Sequence, residues 1–568
     1  MSFVAIATPD AGAGVYLAMR EAATAQGWRI VDVGPTAWIA TRRERVTCEA
    51  FEGGRIAVIG DLLSRGPRSR DRGATGVEVC ANAVQQGWGR YILLTFGHDG
   101  CLSAVLRDPS GALDCAVRQV GAGLIAAGDV PDWLIAAVDD RPGLCWDAIG
   151  QALADPLCLS SVDLLARWRT ITPGVVFQPH APEQVLWSPA WTARSGAPAA
   201  DAACLREVID LAVTGLVGDR SRLVVEVSGG LDSAIMATSL HATRVPGPRV
   251  WMNTRGPFPE SDERAYAEAV TNRMGVPLTV VERGRDEIAL GLDLIHPRSL
   301  RPSLNRLDAA YDRLQAEVCR RLGAEGVLTG KGGDVAFFQT ATSAILADQF
   351  RDEGIGAVAA STAPVLARRL RRSAWRLVRA GLAAAWSPRS YRPPTNSLLA
   401  PDLAVESGSH PWLSDLEGLG PGKRQQIVGF ASNLGLHSPS RRTAAADLLH
   451  PALSQPVMEA VLATPTYRLT EGGHDRLLAR QAFADRLPPE LVRRRSKAEL
   501  GGYYGRVVAA NIDRLRPHLL EGRLARQGLI DRGQVEAALS VDHLIWQGGY
   551  IELMMLALME SWVAAWSD

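Results

Sequence analysis

The segment best suited to chemistry is a glycine-rich turn that carries one acid, formed by Ser228, Gly229, Gly230, Leu231, Asp232 and Ser233. An apolar, β-branched run precedes it and a helical pattern follows it, so the sequence predicts a strand, a tight turn and a helix N-terminus. Such a turn directs backbone N–H groups to one point, where the helix dipole adds positive potential. Ser228 and Ser233 add hydroxyl donors, and an acid beside a phosphate is useful when a cation lies between them. The turn therefore predicts a phosphate site with a cation at Asp232.

A second turn of the same design follows the apolar run 327–329 and contains Gly330, Lys331, Gly332, Gly333 and Asp334. Ligands of open α/β sheets collect at the carboxyl ends of strands, so Asp232 and Asp334 are expected to converge. Two carboxylates together with triphosphate oxygens form the environment that Mg²⁺ prefers. We expect both turns to bind ATP or pyrophosphate and both aspartates to ligate Mg²⁺. The Gly-x4-Gly-Lys-Ser/Thr spacing of a P-loop is absent from the first turn.

A basic cluster between residues 487 and 502 is the third candidate element. Arg493, Arg494, Arg495 and Lys497 precede a pair of glycines, a pattern that often ends a helix. The cluster could equally bring a cation to a polyphosphate or to a charged transition state.

Parallel strands must position these turns. Strands are predicted at 223–227, 250–253, 278–281 and 326–329, in alternation with helical patterns. Beyond about residue 340 the chain is mainly helical. The sequence therefore predicts an α/β domain over 201–568 with a helical C-terminal part.

Residues 1–195 are predicted to form a separate, β-rich domain. Short apolar runs at 4–7, 55–59, 91–96 and 175–177 are separated by turns, and 91–96 should pair with 101–106 as a hairpin. An Ala/Ser/Gly/Pro-rich stretch at 192–201 is the predicted linker.

Charge and composition exclude several classes of protein. The 568 residues contain 61 basic and 61 acidic side chains, which argues against a nucleic-acid binder driven by bulk electrostatics. We find no signal peptide and no apolar stretch long enough for a transmembrane helix. The eight cysteines are scattered without a Cys-x-x-Cys pair, as in a reduced cytoplasmic protein.

One segment departs from this balanced charge. Residues 367–386 contain six arginines among Leu, Ala and Trp, and we predict one basic amphipathic helix there. It is either a solvated helix face or a docking surface for an acidic or peptide partner, or for a membrane.

The three elements, in this order, resemble the synthetase domain of asparagine synthetase B and its relatives, which include β-lactam synthetase and the lasso peptide macrolactam cyclases. The resemblance implies an ATP-pyrophosphatase fold, of the adenine nucleotide α-hydrolase type. It also implies ATP and Mg²⁺ as cofactors and Asp232 and Asp334 as metal ligands. The family's essential lysine, which stabilises charge during adenylation and ring closure, falls on Lys497.

The N-terminal region resembles the glutaminase half of asparagine synthetase, an N-terminal-nucleophile fold with αββα layers. Glutaminases of this class require an N-terminal cysteine, whereas residue 2 is serine. The Asn-Gly-Glu motif of the glutamine pocket is replaced by Gly60-Asp61-Leu62. We therefore expect a degenerate domain without glutaminase activity.

Without glutamine hydrolysis, the simplest nitrogen donor is an amine on the substrate itself, which makes the reaction a cyclisation. β-Lactam synthetases carry tyrosine at the position of Lys331, and a lysine can replace it as an acid/base group only with a depressed pKa. The stretch 448–483 is similar to lasso cyclases. That resemblance implies a precursor core peptide as substrate, with a leader-peptide-binding protein and a leader protease as partners; the balanced charge argues against a nucleic-acid partner.

Two alternatives remain open at this stage. One is a glutamine-independent amide ligase, of the asparagine synthetase or β-lactam synthetase type, that acts on a small molecule. The other is an inactive scaffold that binds a nucleotide or a peptide.

Overall fold

The structure is a computed structural model of the 568-residue chain. It describes residues 2–9, 14–66, 75–138, 140–256, 258–259, 262–284, 288, 291–339, 342–386, 391–403, 410–470, 474–494 and 501–567.

The N-terminal part contains two antiparallel sheets of six strands each, with the orders β10-β8-β9-β1-β3-β2 and β12-β11-β7-β6-β5-β4. The strands are β1 Phe3–Ala7, β2 Arg29–Gly34, β3 Ala37–Thr41, β4 Val46–Phe51, β5 Gly54–Ser64, β6 Gly87–Phe96, β7 Leu102–Arg107, β8 Ala116–Val120, β9 Gly123–Ala127, β10 Arg169–Thr170, β11 Val175–Phe177 and β12 Gln184–Val185. The predicted hairpin is confirmed, because β6 and β7 pair antiparallel.

Successive side chains of a strand point to opposite faces of its sheet. One face of each sheet therefore packs against the other sheet, and the other face packs against helices. In β1, Phe3 and Ala5 join the core between the two sheets, whereas Val4 and Ile6 face the first helical layer. In β6, Ile92 belongs to the inter-sheet core, whereas its neighbours pack toward the other helical layer. The result is a helix–sheet–sheet–helix sandwich.

A third sheet is entirely parallel and has the order β15-β14-β13-β16-β17. Its strands are β13 Leu223–Glu226, β14 Arg249–Arg255, β15 Leu278–Glu282, β16 Gly326–Leu328 and β17 Asp447–Leu449. After β13 the chain adds β14 and β15 on one side of it and then β16 and β17 on the other side. The strand order therefore reverses between β13 and β16, which makes this position a switch point of the sheet. Each of the four predicted strands is present, whereas β17 was not predicted.

Helices surround the three sheets and dominate the C-terminal part. The helices are α1 Gly14–Ala25, α2 Gly76–Gln86, α3 Asp132–Val138, α4 Trp146–Ala154, α5 Pro189–Arg194, α6 Ala202–Val217, α7 Leu231–Thr243, α8 Arg264–Met274, α9 Ala309–Leu322, α10 Gly333–Ala336, α11 Ser343–Ala360, α12 Thr362–Leu370, α13 Ala374–Trp386, α14 Pro421–Asn433, α15 Arg441–Ala445, α16 Gln455–Ala463, α17 Thr466–Thr470, α18 Leu477–Ala482, α19 Pro489–Arg493, α20 Gly501–Ala509, α21 Ile512–Leu520, α22 Arg523–Arg526, α23 Arg532–Ala538, α24 Val541–Trp546 and α25 Tyr550–Ser567.

The prediction of one basic helix over 367–386 is wrong. The segment is broken between α12 and α13 at Arg371, which adopts a left-handed conformation with φ = 50°. The N–H of Arg372 donates to the carbonyl of Ala367 and ends the first helix. The composition is that of a continuous helix, so the break reflects the packing of both helices rather than a local signal.

An ion-pair network joins the N-terminal part to the parallel sheet. Arg90 of β6, only 2% exposed, lies 2.8 Å from Asp447 at the start of β17. Arg220 lies 2.6 Å from Asp61 and 2.7 Å from the same Asp447. Burial alone would raise the pKa of Asp447, but the two guanidinium groups lower it to about 2. The two parts are therefore held together by buried, compensating charges.

No helix among the described residues is long and apolar enough to cross a membrane.

Candidate active site

A cavity of about 560 Å³ opens at the switch point between β13 and β16. Ligands of parallel α/β sheets bind at such crevices, because the loops on either side turn away from each other. Its walls include residues of both glycine-rich turns, namely Ser228, Gly230, Leu231, Asp232, Ser233, Gly330, Lys331, Gly332 and Asp334. The structure thus brings the two sequence-predicted turns together at one cavity.

The first turn is braced by its own hydroxyl groups. Ser233 Oγ accepts a hydrogen bond from the N–H of Ser228 at 3.1 Å and donates to the carbonyl of Gly230 at 3.1 Å. Ser228 Oγ accepts a hydrogen bond from the N–H of Gly230 at 3.2 Å. Gly229 has φ = 89°, a left-handed conformation that glycine adopts without strain. The thirteen-residue helix α7 begins directly afterwards at Leu231, with its dipole directed at the turn.

The two turns lie against each other at van der Waals distance. A Cβ atom at Gly330 would lie 2.3 Å from the backbone nitrogen of Ser233. A Cβ atom at Gly333 would lie 2.6 Å from the Cβ atom of Asp232. Gly330 and Gly333 of the second turn are therefore required by the space that the first turn occupies.

Asp232 is paired with a residue for which the sequence predicted no role. Arg476 Nη1 lies 3.0 Å from Asp232 Oδ2, and Arg476 Nη2 lies 3.0 Å from Asp475 Oδ2. Asp475 also pairs with Arg480 at 3.3 Å and with Arg369 of α12 at 3.1 Å. Burial alone would raise the pKa of Asp475, but these three arginines hold it below its ordinary value.

The arginines form a basic wall opposite the first turn. Arg476, Arg480 and Arg494 all line the cavity. Arg494 Nη1 donates to the carbonyl of Gly229 at 3.0 Å, and its guanidinium stacks on Tyr266 at 3.9 Å. Arginine suits this position because its planar fork matches phosphate oxygens. Arg494 belongs to the basic cluster singled out in the sequence, whereas Arg476 and Arg480 are recognisable only by their i, i+4 spacing.

The chemistry of the turn carboxylates fits a magnesium ion that also binds phosphate. Among the described residues, no group of three or more His, Cys, Asp or Glu side chains could hold a metal ion by itself. Asp232 and Asp334 line the same cavity, and Mg²⁺ commonly combines one or two carboxylates with substrate phosphates and water. Their role as metal ligands stays a prediction.

Beyond the turns, the cavity extends into a charged chamber around Tyr311. The Tyr311 hydroxyl donates to Glu226, which also accepts a hydrogen bond from Gln315 at 2.7 Å. Arg283 and Arg442 each lie 4.7 Å from the centre of the Tyr311 ring. Burial and the Glu226 charge raise the pKa of Tyr311 well above its ordinary value, so the hydroxyl keeps its proton.

Lys331 is the third cation of this chamber. Its ammonium lies 5.6 Å from the Tyr311 ring centre. Within the described ranges no carboxylate lies within ion-pair distance of Lys331, whereas Arg442 pairs with Asp312 at 3.0 Å. Burial, followed by the charge of Arg442, lowers the pKa of Lys331 to about 8. Lys331 therefore has the depressed pKa that a lysine needs to act as an acid/base group.

Arg495, Lys497 and Ser2 were also singled out in the sequence. Arg495 and Lys497 are outside the described residues, between the end of α19 and the start of α20. Ser2, where the sequence resemblance expects the nucleophile of a glutaminase, donates a 3.4 Å hydrogen bond to Asp129 within the N-terminal part. Ser2 is not among the described residues that line the cavity.

Comparisons with known proteins agree with the sequence motifs. Residues 204–564 match the family model described as asparagine synthase. A search of curated proteins found no match.

Solved structures give only a weak likeness. One, the allosteric regulatory enzyme of purine biosynthesis, is 8% identical, with 52% of this chain and 82% of that chain covered and a TM-score of 0.21. Another, a glutamine phosphoribosylpyrophosphate amidotransferase from B. subtilis complexed with ADP and GMP, is 9% identical, with 58% and 90% covered and a TM-score of 0.22. At these scores the likeness indicates nothing further about this chain. The family match covers more than half of the sequence, and the chain belongs to the asparagine synthase family.

Proposed function

We propose that this chain is an AMP-forming amide ligase that closes the macrolactam ring of a lasso peptide. Membership of the asparagine synthase family supports an ATP-dependent amide ligase in general terms. The observation that carries the proposal is the single cavity that holds both acidic glycine turns, the basic wall and the Lys331 chamber.

In the first step, an Asp or Glu side-chain carboxylate of the peptide attacks the α-phosphorus of ATP, and pyrophosphate leaves. The N-terminus of α7 and the side chains of Arg476, Arg480 and Arg494 bind the negative charge of the polyphosphate. Asp232 and Asp334 would hold Mg²⁺, which neutralises phosphate charge when it is bound. The products of this step are an acyl-adenylate and pyrophosphate.

In the second step, the N-terminal amine of the peptide attacks the acyl carbon, and AMP leaves as the isopeptide bond forms. The attacking amine gives up a proton in this step, and the neutral form of Lys331 Nζ accepts it. By its resemblance to the family lysine, Lys497 stabilises the negative charge that develops. The cavity must also hold the peptide prefolded, because ring closure depends on orientation.

The N-terminal part supports a substrate amine rather than ammonia as the nucleophile. Serine replaces the cysteine that glutamine hydrolysis needs in this class. Between β6 and β17, a small cavity lined by Gly89, Ser110, His437 and His450 has a volume of about 10 Å³. That volume is about the size of one water molecule. The role proposed for the N-terminal part is therefore structural.

The test uses purified protein with ATP, Mg²⁺ and a leader-free precursor peptide. We expect a peptide lighter by one water in the mass spectrum, together with AMP and pyrophosphate. A matched reaction with free aspartate and ammonium should form no AMP. AMP formation in that control, without any peptide, would instead favour a small-molecule amide ligase. Absence of nucleotide cleavage in both reactions would favour an inactive scaffold.

A further inference from the structure

The helices α12 and α13 form a basic surface that the proposed chemistry does not use. Residues 361–386 contain six arginines and no acidic residue, although the whole chain has equal numbers of basic and acidic residues. The arginines are Arg368, Arg369, Arg371, Arg372, Arg376 and Arg379. Within the part of the chain that the structure describes, only Arg369 of these six forms an ion pair.

Two tryptophans stand on this surface. Trp375 is 79% exposed and Trp386 is 75% exposed. They are eleven positions apart, so their directions differ by only about 20° and they lie about 16 Å apart along the axis of α13. Arg379 follows Trp375 by one turn and lies on the same face. Tryptophan and arginine are the residues most enriched at energetically important positions of interfaces.

The opposite face of α13 is packed. Leu377 of α13 joins Leu346, Val358 and Leu366 in a small separate core. A Cβ atom at Gly381 would lie 2.9 Å from the Cβ atom of Leu346, so α13 sits close against α11. Trp386 also contacts the ring of Phe350 of α11 edge to face at 5.6 Å, so a packed helix presents both exposed tryptophans.

An ion-pair chain connects this surface with the cavity. Arg369 of α12 lies 3.1 Å from Asp475, and Asp475 lies 3.0 Å from Arg476. Arg476 in turn lies 3.0 Å from Asp232 of the first turn. Only the side chains of Asp475 and Arg476 thus lie between Arg369, near the C-terminal end of α12, and Asp232 of the first turn.

We propose that the α12–α13 surface binds an acidic segment of the peptide substrate, outside the part that enters the cavity. Carboxylates of the segment pair with Arg372, Arg376 and Arg379, and its apolar side chains cover Trp375 and Trp386. The inference rests on the proposed function in taking a peptide as substrate. The short ion-pair link from Arg369 to Asp232 shows that the surface lies near the cavity, and this proximity favours a segment of the substrate over a lipid surface.

Direct binding tests this proposal without reference to catalysis. The probe is a fluorescein-labelled peptide of Glu-Leu-Asp-Ala repeats, and fluorescence anisotropy is measured with the full-length protein. We expect R372E/R376E/R379E to weaken binding at least about tenfold, through loss of complementary charge. W375A/W386A should weaken it to a similar degree while leaving its salt dependence unchanged.

The matched control is R320E/R321E/R526E, which makes the same change of charge at exposed arginines elsewhere. Circular dichroism melting curves of both triple variants show whether the fold is kept. Equal weakening by both triples would overturn the proposal, as would failure of the wild-type protein to bind the probe.

A second experiment measures binding of the wild-type protein to vesicles of phosphatidylserine and phosphatidylcholine. Wild-type binding to vesicles but not to the peptide would assign the surface to a membrane and also overturn the proposal. Ring closure by the wild-type protein is measured separately, so failure of the docking surface is distinguished from failure of the ligase function.

Discussion

The guanidinium group of Arg476 lies 3.0 Å from the Oδ2 atom of Asp232, the acid of the first glycine-rich turn. Arg476 is also a non-glycine residue with φ = 53°, a left-handed conformation that L-residues seldom adopt. A strained backbone at a cavity wall is typical of functional sites. The pair places a positive charge beside the carboxylate that we propose as a metal ligand.

From this pair we predict that Arg476→Met raises the KM for MgATP by roughly 10- to 100-fold, because a charge-assisted contact to phosphate is lost. ATP–pyrophosphate exchange measures the effect. Arg476→Lys should recover only part of it, since a lysine lacks the planar fork. Arg468→Met, an exposed change on α17, is the control. An unchanged KM for MgATP in the Arg476 variant would remove Arg476 from the nucleotide site.

Asp334→Asn is expected to lower the exchange rate at least about 100-fold, as several kcal/mol of charge stabilisation are lost with the metal ion. Raising the Mg²⁺ concentration should restore part of the rate, because the defect lies in metal affinity. Asp219→Asn serves as the control, since Asp219 is exposed and paired with Arg45. A loss of rate that no Mg²⁺ concentration changes would contradict the role of Asp334 as a ligand.

Gly330→Ala should destabilise the protein by several kcal/mol, because its Cβ would lie 2.3 Å from the backbone of Ser233. Thermal unfolding measures the loss. At Gly356 of α11 nothing lies within 4 Å of an added Cβ atom, so Gly356→Ala should be neutral or stabilising by about 0.5–1 kcal/mol. Equal effects of the two substitutions would argue against the close contact between the turns.

The pKa of Lys331, lowered to about 8, predicts the pH dependence of ring closure. Below pH 8 the amine is protonated and cannot accept a proton, so kcat/KM should rise with pH and level off above this pKa. Lys331→Arg should lower the plateau, because arginine stays protonated and the limb that is left is that of the substrate amine, whose pKa is also about 8. An unchanged plateau in Lys331→Arg would exclude Lys331 as the proton acceptor.

The same lowered pKa of Lys331 predicts an effect on stability. The unfolded chain holds this proton up to a pKa of 10.5, whereas the folded chain releases it near pH 8. The charged lysine therefore costs stability below pH 8, and the cost disappears as the pH rises toward 10.5. Lys331→Met removes that cost, so it should not lower the melting temperature at about pH 7. A lower melting temperature of this variant would show that the ammonium is stabilised in the fold.

The strands and turns that form the candidate phosphate site could be predicted from the local sequence pattern. Apolar, β-branched runs end at Ser228 and at Gly330, and both runs form strands of the parallel sheet. Their convergence also follows from topology, since both turns lie at the carboxyl edge. The predicted domain boundaries and the role of Lys497 stay predictions.

The remaining parts of the site depend on contacts between distant residues. Arg476 acts on Asp232 across 244 positions of sequence, and no local signal marks such a pair. Tyr311 and Arg442 meet in the chamber only because β16 and β17 bring their helices together. The break at Arg371 and the three-residue strand β17 are likewise decided by tertiary packing, which outweighs weak local preference.

The buried pair of Arg90 and Asp447 has a consequence for how this chain can evolve. Asp447 begins a strand of the parallel sheet, so the N-terminal part neutralises a charge inside the ligase fold. Removing that part would leave a carboxylate short of one partner and would uncover shared apolar clusters. The N-terminal part can thus be retained by selection for folding alone, whether or not it catalyses a reaction of its own.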